Sequence, residues 1–344
     1  MGVTLGETRV GSVRKIAAIV LAVAVVGGLA ACSDLPAQVQ GCTPSYTAGT
    51  ASKSISATGA VGAKLKAKIP TPVVAKKTEN STLHAGKGLK LGTGDIARVS
   101  IALYLGATGA SEGSTGYKKA SEPLITVGTK QSTSLPEVFA KALECQTVGS
   151  RVATVFTAAD YFGSKAAATA QNIDPSTVLV GVTDILKGYR GRAIGTLQPL
   201  QSGFPSVVTS GSGVPGITLD LQEPPTTLKY EVVRRGSGAK LKAGQSVLLQ
   251  VQGIEWSDPA PTTTFDSTWT PESSPRVYTL KADVANTAGY SLDPGSVKAL
   301  TGQTVGSQIE VVVPAKYGYP SGKAPSGYPT KSTLIFVYDI LGTY

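Results

Sequence analysis

The ten residues KALECQTVGS, from Lys141 to Ser150, recur as KALTGQTVGS, from Lys298 to Ser307, with eight of ten positions identical. Self-similarity of this length marks a duplicated structural unit. The two segments lie 157 residues apart, which is too long for a solenoid repeat and typical of two whole domains. One half of the chain can therefore be interpreted against the other.

The similarity extends on both sides of the repeated segment. Upstream, GKGLKLGTGD from Gly86 aligns with GSGAKLKAGQ from Gly236, and downstream STVLVGVTDIL, ending at Leu186, aligns with STLIFVYDIL, ending at Leu341. Still further upstream, each copy has a Gly-rich turn, an alternating strand, a break that contains proline and a second strand. Short runs of Val, Thr and Ile between turn residues favour antiparallel strands.

Each copy also has one short helical signal. In the first copy, Ser134 and Glu137 have the spacing of a capping box. In the second, Asp293 can cap a helix and Pro294 falls at the first helical position, where its missing N–H costs nothing. We therefore predict an α+β fold of two domains, each an antiparallel β-sheet wrapped around a short α-helix.

The N-terminus has the pattern of an export signal. Arg14 and Lys15 precede a short apolar run, residues 16–26, which is too short for a membrane span. The following Leu-Ala-Ala-Cys ending at Cys32 resembles the bacterial lipobox, in which the cysteine is acylated and becomes the first mature residue. The alternative is an ordinary signal peptide cut after Ala31.

The domain boundaries follow from these signals. We predict a lipoprotein signal peptide over residues 1–31 and a flexible tether, rich in Ser, Thr, Ala and Gly, over residues 32–60. The first domain then occupies residues 61–187. A linker over residues 188–209, which lacks a clear period and contains prolines, leads to the second domain at residues 210–344.

Two cysteines remain if Cys32 is acylated. Disulfides persist in exported proteins, so we expect Cys42 to pair with Cys145 and to join the start of the mature chain to the first domain. The alternative is two free thiols.

The chain is basic. Its formal charge is +10, and removal of residues 1–31, with three basic residues and one acidic residue, leaves +8. Lys64, Lys66 and Lys68 alternate with apolar residues and so fall on one face of a strand. This face could contact anionic lipid or cell-surface polymers, or it could be a solvated surface that discourages edge pairing. We expect no nucleic-acid partner.

The second copy contains a series of short motifs in a defined order. They are Gly236 to Gly238, Lys242 to Gln245, Phe265-Asp266-Ser267, Leu292, Pro294-Gly295, Leu300, Val305-Gly306-Ser307, Pro314, Tyr317-Gly318-Tyr319, Pro329 and Ser332 to Phe336. Each motif is weak alone, but their order and spacing resemble FKBP-type peptidyl-prolyl cis-trans isomerases from about residue 227 to residue 341. The resemblance implies a five- or six-stranded antiparallel sheet around a short helix, and isomerase activity without a metal or other cofactor.

The resemblance also implies a set of site residues. Phe265 would be a wall of the proline pocket, Asp266 the carboxylate at its rim and Phe336 the inner wall. Tyr319 matches the tyrosine whose hydroxyl donates to a substrate carbonyl. Two further positions bind substrate by the same comparison: Tyr328, in a loop position that is usually aliphatic, and Leu292, through its backbone amide.

Some pocket positions depart from the family. Val251 stands where a tyrosine is usual, Arg276 falls near a usual phenylalanine, and Ser296 replaces the tryptophan of the pocket floor. Trp269 could partly refill that space. Loss of apolar floor area predicts weak turnover. The alternative is that the aromatic residues are ordinary core residues with satisfied hydroxyls.

The first copy keeps the frame and loses the pocket. Gly181 corresponds to Phe336, and Phe162, which has no hydroxyl, corresponds to Tyr319; Phe139 stands at the floor position. We expect this domain to be a spacer or a chaperone-like surface. Other chemistry has little support, because His84 is the only histidine and residues 211–216 form a turn before a strand, not a dinucleotide-binding loop.

These observations lead to two hypotheses. In the first, the chain is a monomeric isomerase, lipid-anchored through Cys32 at the outer face of the cytoplasmic membrane, that acts on X-Pro segments of exported polypeptides. In the second, it is a non-catalytic lipoprotein that uses the same domains as a chaperone-like or polymer-binding surface.

Overall fold

The structure is a computed structural model that describes residues 42–129, 135–219, 223–256, 263–270, 273–286 and 288–344. All of these residues lie in one compact unit. The predicted signal peptide and Cys32 lie outside the described residues. Among the described helices, none is long and apolar enough to cross a membrane.

Within the described residues, the first copy contains a six-stranded antiparallel sheet, a separate hairpin, four short α-helices and one turn of 3-10 helix at Lys119–Ser121. The strands are β1 (Ser56–Thr58), β2 (Lys66–Lys68), β3 (Glu79–His84), β4 (Ile96–Leu105), β5 (Ser111–Ser114), β6 (Leu124–Thr126), β7 (Arg151–Thr157) and β8 (Val178–Tyr189). The helices are α1 (Thr50–Ser54), α2 (Glu137–Ala142), α3 (Ala158–Phe162) and α4 (Lys165–Ala170).

In the part of the second copy that the structure describes, there are a seven-stranded sheet, a hairpin, one α-helix and one turn of 3-10 helix at Ala315–Tyr317. The strands are β9 (Thr196–Leu197), β10 (Ser206–Thr209), β11 (Pro215–Thr218), β12 (Lys229–Arg235), β13 (Ser246–Glu255), β14 (Thr264–Ser267), β15 (Arg276–Thr279), β16 (Gln308–Val313) and β17 (Leu334–Thr343). The helix α5 spans Pro294–Leu300.

The two sheets have the same strand order. The first runs β3-β7-β8-β4-β5 with β6 beside β4, and the second runs β12-β16-β17-β13-β14 with β15 beside β13 and β9 added at the edge of β12. Register shifts also coincide, because β3 against β7 and β12 against β16 shift at equivalent points. The predicted α+β fold class is confirmed.

One short helix packs on the inner face of each sheet. α5 begins as predicted: Asp293 caps it by accepting from the Ser296 N–H at 2.8 Å, with Pro294 at the first position. α2 begins at Glu137, with Pro136 as its N-cap residue and no side-chain cap. Leu135 precedes a proline and is therefore disfavoured in helical geometry. Ser134, the predicted cap, lies outside the described residues.

A two-stranded hairpin covers the outer face of each sheet. In the first copy β1 pairs with β2, and Leu65 packs with sheet residues such as Val155 and Val182. In the second copy β10 pairs with β11, and Ile217 packs with Val337. The Gly-rich turns seen in the sequence connect these hairpin strands.

The tether predicted over residues 32–60 is wrong for its described part, residues 42–60. Helix α1 buries Ala51 and Ser52, and Ile55 is only 3% exposed. Cys42 and Cys145 are joined by a disulfide that connects this segment to the end of α2. Apolar burial outweighs the Ser- and Gly-rich composition that suggested a flexible chain.

The predicted linker, residues 188–209, is also structured. Its first two residues complete β8, and β9 adds to the edge of the second sheet by pairing with β12. The Ala193 N–H donates to the buried Asp339 carboxylate at 2.7 Å. The segment therefore belongs to the packed body of the second copy.

Candidate functional site

Four aromatic rings meet on the inner face of the second sheet. The Phe265 ring from β14 lies 5.5 Å from the Phe336 ring of β17 and 4.8 Å from the ring of Tyr328, both edge to face. The Tyr319 ring lies 5.7 Å from that of Tyr328. Edge-to-face rings at these distances attract one another. The structure thus brings four of the predicted site residues into one cluster.

Strand register explains how Phe265 and Phe336 meet. Gly253 of β13 lies between β14 and β17, directly opposite Asp266 on one side and Phe336 on the other. A Cβ atom at position 253 would approach the Phe265 ring to 3.0 Å and the Phe336 ring to 3.1 Å. The absent side chain therefore leaves the space in which these rings pack. Sequence inspection did not identify Gly253 as part of the site.

A buried carboxylate borders the aromatic cluster. Asp266 is 5% exposed and accepts two hydrogen bonds from Arg276 Nη1, at 2.7 and 2.9 Å. The Tyr328 hydroxyl donates a short hydrogen bond to the same carboxylate. Burial raises the pKa of Tyr328, and the Asp266 charge raises it further, so the phenol keeps its proton.

Arg276 was noted in the sequence only as a departure from the family. In the structure it is the partner of Asp266, and its guanidinium carbon lies 3.6 Å from the centre of the Tyr290 ring. Its Nη1 also lies 3.3 Å from the Tyr278 hydroxyl. Arg276 and Tyr278 are two apart on β15 and so share a face. The alternation of side chains along β15 is therefore the sequence pattern that could have predicted both residues in the site.

The floor of the site is built differently from the family pattern. Tyr338, which is 1% exposed, donates from its hydroxyl to Ser296 Oγ at 3.0 Å, and Ser296 Oγ donates to Asp293 at 2.6 Å. The Tyr338 ring stacks on Phe336 at 5.4 Å. Burial raises the pKa of Asp293 to about 6 and that of Tyr338 well above its usual value.

The position of Tyr338 also accounts for the small side chain at Val251. The two residues lie directly opposite each other on β13 and β17, and Val251 is buried. Small side chains at Val251 and Ser296, where the family usually has a tyrosine and a tryptophan, leave volume beside the Tyr338 ring. Tyr338 lies two residues after Phe336 on the same strand face, a pattern that could have predicted its position.

Tyr319 lies in the site, but its hydroxyl already has a partner. The ring is 6% exposed, and the hydroxyl donates to the Ser291 carbonyl at 2.8 Å. Burial raises the pKa of Tyr319. A phenol has one proton to donate, so donation to a substrate carbonyl requires that it leave Ser291. Leu292, next to this carbonyl, is buried in the same core.

The prediction for Trp269 is wrong. Its indole does not enter the cluster around Phe336; a Cβ at Gly213, in the turn of the second hairpin, would meet the ring at 3.0 Å. Trp269 lines a separate cleft of about 770 Å³ together with Arg192 and Gly94. The chain turns after Asp266, and Thr268 binds back to the Val251 carbonyl at 2.9 Å, which directs the next side chain away from the pocket.

Metal ligands do not gather in the described residues, where no group of three His, Cys, Asp or Glu side chains could hold a metal ion.

Comparison with known proteins agrees with this geometry in the second copy. Residues 238–341 match the family model described as FKBP-type peptidyl-prolyl cis-trans isomerase. No curated protein matches the chain.

Three solved structures illustrate the similarity to other proteins. The three FKBP domains of wheat FKBP73 match at 14% identity and a TM-score of 0.31, over 78% of this chain and 94% of that one. FkpA from Escherichia coli matches at 25% identity and a TM-score of 0.28, over 40% of this chain and 51% of that one. A peptidyl-prolyl cis-trans isomerase from Pseudomonas syringae pv. tomato matches at 19% identity and a TM-score of 0.26, over 36% of this chain and 79% of that one. Residues 238–341, the part of the chain that matches this family model, include all four rings of the aromatic cluster.

Proposed function

We propose that the second domain catalyses cis-trans isomerisation of X-Pro peptide bonds. The observation that supports this most strongly is the aromatic cluster around Phe265 and Phe336 with the fixed Asp266 carboxylate at its edge, inside the residues that match the isomerase family.

The chemistry needs no nucleophile. The cis and trans forms of an X-Pro bond differ by only about 0.5–1 kcal/mol, yet they exchange slowly because rotation breaks amide resonance across a barrier of about 18–20 kcal/mol. A site that binds the twisted amide better than either planar form lowers that barrier. The twisted amide has lost resonance and tolerates an apolar surface better than the planar forms do.

The residues of the cluster divide this task. The rings of Phe265, Phe336 and Tyr328 supply apolar surface for the proline ring. Arg276 holds Asp266 in one orientation, so the carboxylate presents a fixed negative charge at the rim. The Tyr319 hydroxyl can reach a substrate carbonyl only by exchanging its bond to Ser291.

The test is exchange NMR on an X-Pro peptide with the full chain. We expect cross-peaks between the cis and trans forms at mixing times at which the peptide alone gives none. Phe265→Leu should reduce the exchange rate at least tenfold, because it removes half-buried ring surface from the site. Phe162→Leu, which changes a half-buried phenylalanine of the first domain, is the matched control and should leave the rate unchanged. Exchange no faster than in the peptide alone would refute the proposal.

We further propose that acylated Cys32 anchors the chain at the outer face of the cytoplasmic membrane, where the X-Pro segments of exported polypeptides are its substrates. The support is the sequence alone: a basic start, an apolar run and Leu-Ala-Ala-Cys. Growth with a labelled fatty acid should label the wild-type protein and not Cys32→Ala. Equal labelling of both would contradict the anchor.

A second function is favoured by one observation. The Tyr328 and Tyr319 hydroxyls are both bonded within the protein, to Asp266 and Ser291. A site whose donors are already engaged fits a domain that holds Pro-containing segments, or surface polymers, without turnover. Saturable peptide binding without exchange cross-peaks would select this alternative.

A further inference from the structure

Every charged residue in the first part of the described chain is a lysine. Residues 42–78 contain six lysines and no aspartate or glutamate. All six lysines are exposed: Lys53, Lys64, Lys66, Lys68, Lys76 and Lys77. None of them forms an ion pair with any residue that the structure describes. The positive charge of this segment is therefore available to an outside partner.

Three of these lysines lie on one face of the hairpin, two in β2 and Lys64 two residues before it. In the hairpin of the first domain, Leu65 and Ala67 pack towards the sheet, while Lys64, Lys66 and Lys68 point outward between them. Alternate residues on a strand lie about 7 Å apart. We call these three residues the lysine face.

The residues beside the lysine face are neutral. Ser56 and Thr58 are the cross-strand partners of Lys68 and Lys66. Two of the carboxylates that contact residues 42–78 are engaged within the protein: Glu79 accepts from the Ser52 N–H at 2.9 Å, and the buried Asp184 accepts from the Gly62 N–H and binds Arg151 at 2.6 Å. Neither of these carboxylates forms an ion pair with the lysine face.

The second domain shows that the fold does not require these lysines. Its hairpin has the same register, with Ser206 opposite Thr218 as Ser56 is opposite Lys68. Its residues 206–218 contain no charged side chain. Val214, Gly216 and Thr218 stand where the first domain has the lysine face. The two hairpins cover equivalent sheet faces, so the charge difference is not explained by packing.

We propose that the lysine face binds the anionic headgroups of a phospholipid membrane. A row of exposed lysines on one face suits the extended charged surface of a bilayer better than it suits a single small anion. Each lysine near an anionic lipid surface contributes about 1 kcal/mol, and the attraction falls off within the Debye length.

The position of this face in the chain supports a lipid partner. Only nine residues separate Cys32 from Cys42, whose disulfide fixes it to the first domain. Nine residues span at most about 32 Å. The choice of a lipid surface as the partner therefore rests on the proposed acylation of Cys32, because that anchor would hold the first domain close to the headgroups.

The test is cosedimentation of the full chain carrying Cys32→Ser with vesicles. Pure phosphatidylcholine vesicles measure any contribution from the apolar run at residues 16–26, and vesicles with 30% phosphatidylglycerol add the anionic charge. The variant combines Lys64→Thr, Lys66→Thr and Lys68→Thr. Its matched control combines Lys240→Thr, Lys242→Thr and Lys281→Thr, which removes three exposed lysines from the second domain.

We expect the anionic vesicles to bind the protein more tightly than the neutral ones, and the lysine-face variant to lose on the order of 100-fold in partition coefficient. The control variant should lose less than about threefold. Equal losses in the two variants, no preference for anionic vesicles, or lysine-dependent binding to soluble poly(glycerol phosphate) but not to vesicles would overturn the proposal. None of these readouts depends on acylation or turnover, so failure here leaves the proposed isomerase and its anchor standing.

Discussion

The two copies of the fold fill the same central space with aromatic rings that come from opposite sides of that space. In the second domain the ring comes from the sheet, as Phe336 on β17, and the helix contributes the small Ser296. In the first domain the ring comes from the helix, as Phe139, and the sheet contributes Gly181. A Cβ at position 181 would meet the Phe139 ring at 2.6 Å. A core can thus be preserved by exchanging large and small side chains while the pocket surface is lost.

The rim differs even more than the floor. Strand register places Glu112 and Gly113 of β5 where the second domain has Phe265 and Asp266 of β14. All four residues of β5 are exposed. We therefore expect turnover to require more than the shared frame, since the first copy keeps the strand order but has no ring at the Phe265 position and no carboxylate at the Asp266 position.

The largest expected effect is a difference in pH dependence between the domains. Glu231 and Glu310 lie opposite each other on β12 and β16 and are both buried, whereas the equivalent pair in the first domain is Ser81 and Ala153. Burial, with the neighbouring Glu231 charge, raises the pKa of Glu310 to about 9. An acid whose pKa is raised by folding favours the folded state at low pH, and this stability is lost as pH rises towards 9.

Glu310→Gln, which cannot ionise, should remove this loss of stability at high pH. Each unit of pKa shift is worth about 1.4 kcal/mol. We therefore expect the free energy of unfolding of the variant, relative to that of wild type, to rise by several kcal/mol between pH 5 and pH 9. Urea unfolding at a series of pH values measures this, and Glu137→Gln, a partly exposed glutamate of the first copy, is the control. A constant difference across the pH range would contradict the assignment.

Gly181→Phe should be the next largest effect. It adds a second ring to a space that Phe139 already fills, and overpacking of a core costs about 1–3 kcal/mol. Adding Phe139→Ser, which reproduces the arrangement of the second domain, should restore part of the lost stability. Urea denaturation of both variants measures this. Additive losses would show that the two positions do not exchange volume.

Removal of the Tyr338 hydroxyl should have a smaller effect. Tyr338→Phe deletes the hydrogen bond to Ser296 at the floor, and a typical hydrogen bond contributes about 1 kcal/mol to stability. Ser296→Ala should cost at least as much, because Asp293 also loses a partner. Thermal unfolding measures both. A Tyr338→Phe variant more stable than wild type would contradict the floor described here.

The sequence was sufficient to predict the frame. Repeated segments and turn residues are local signals, and they indicated the duplication, the strands and helix α5. Contacts between strands were harder to predict. Arg276 reaches Asp266 because β14 and β15 both pair with β13, and such non-local pairing leaves no pattern in either strand alone. Trp269 was misplaced for the same reason, since its direction depends on the turn after β14.

The packed segments before each sheet were also misjudged. Their Ser, Thr and Gly content indicated flexible chain, but few apolar residues suffice when each one is covered. Ile55 and Leu65 are both buried, and the Cys42 disulfide adds a covalent link. Composition reports average polarity, whereas packing depends on which positions face the sheet.

We propose that only the second copy catalyses isomerisation, and two ion pairs of equal length allow the most direct test. Asp266 and Asp95 are both buried and lie 2.7 Å from Arg276 and Arg190 respectively. Exchange NMR on an X-Pro peptide should show at least a tenfold lower rate for the full chain with Asp266→Asn and an unchanged rate with Asp95→Asn, both variants being folded by circular dichroism. Equal rates in the two variants, or a loss confined to Asp95→Asn, would contradict it.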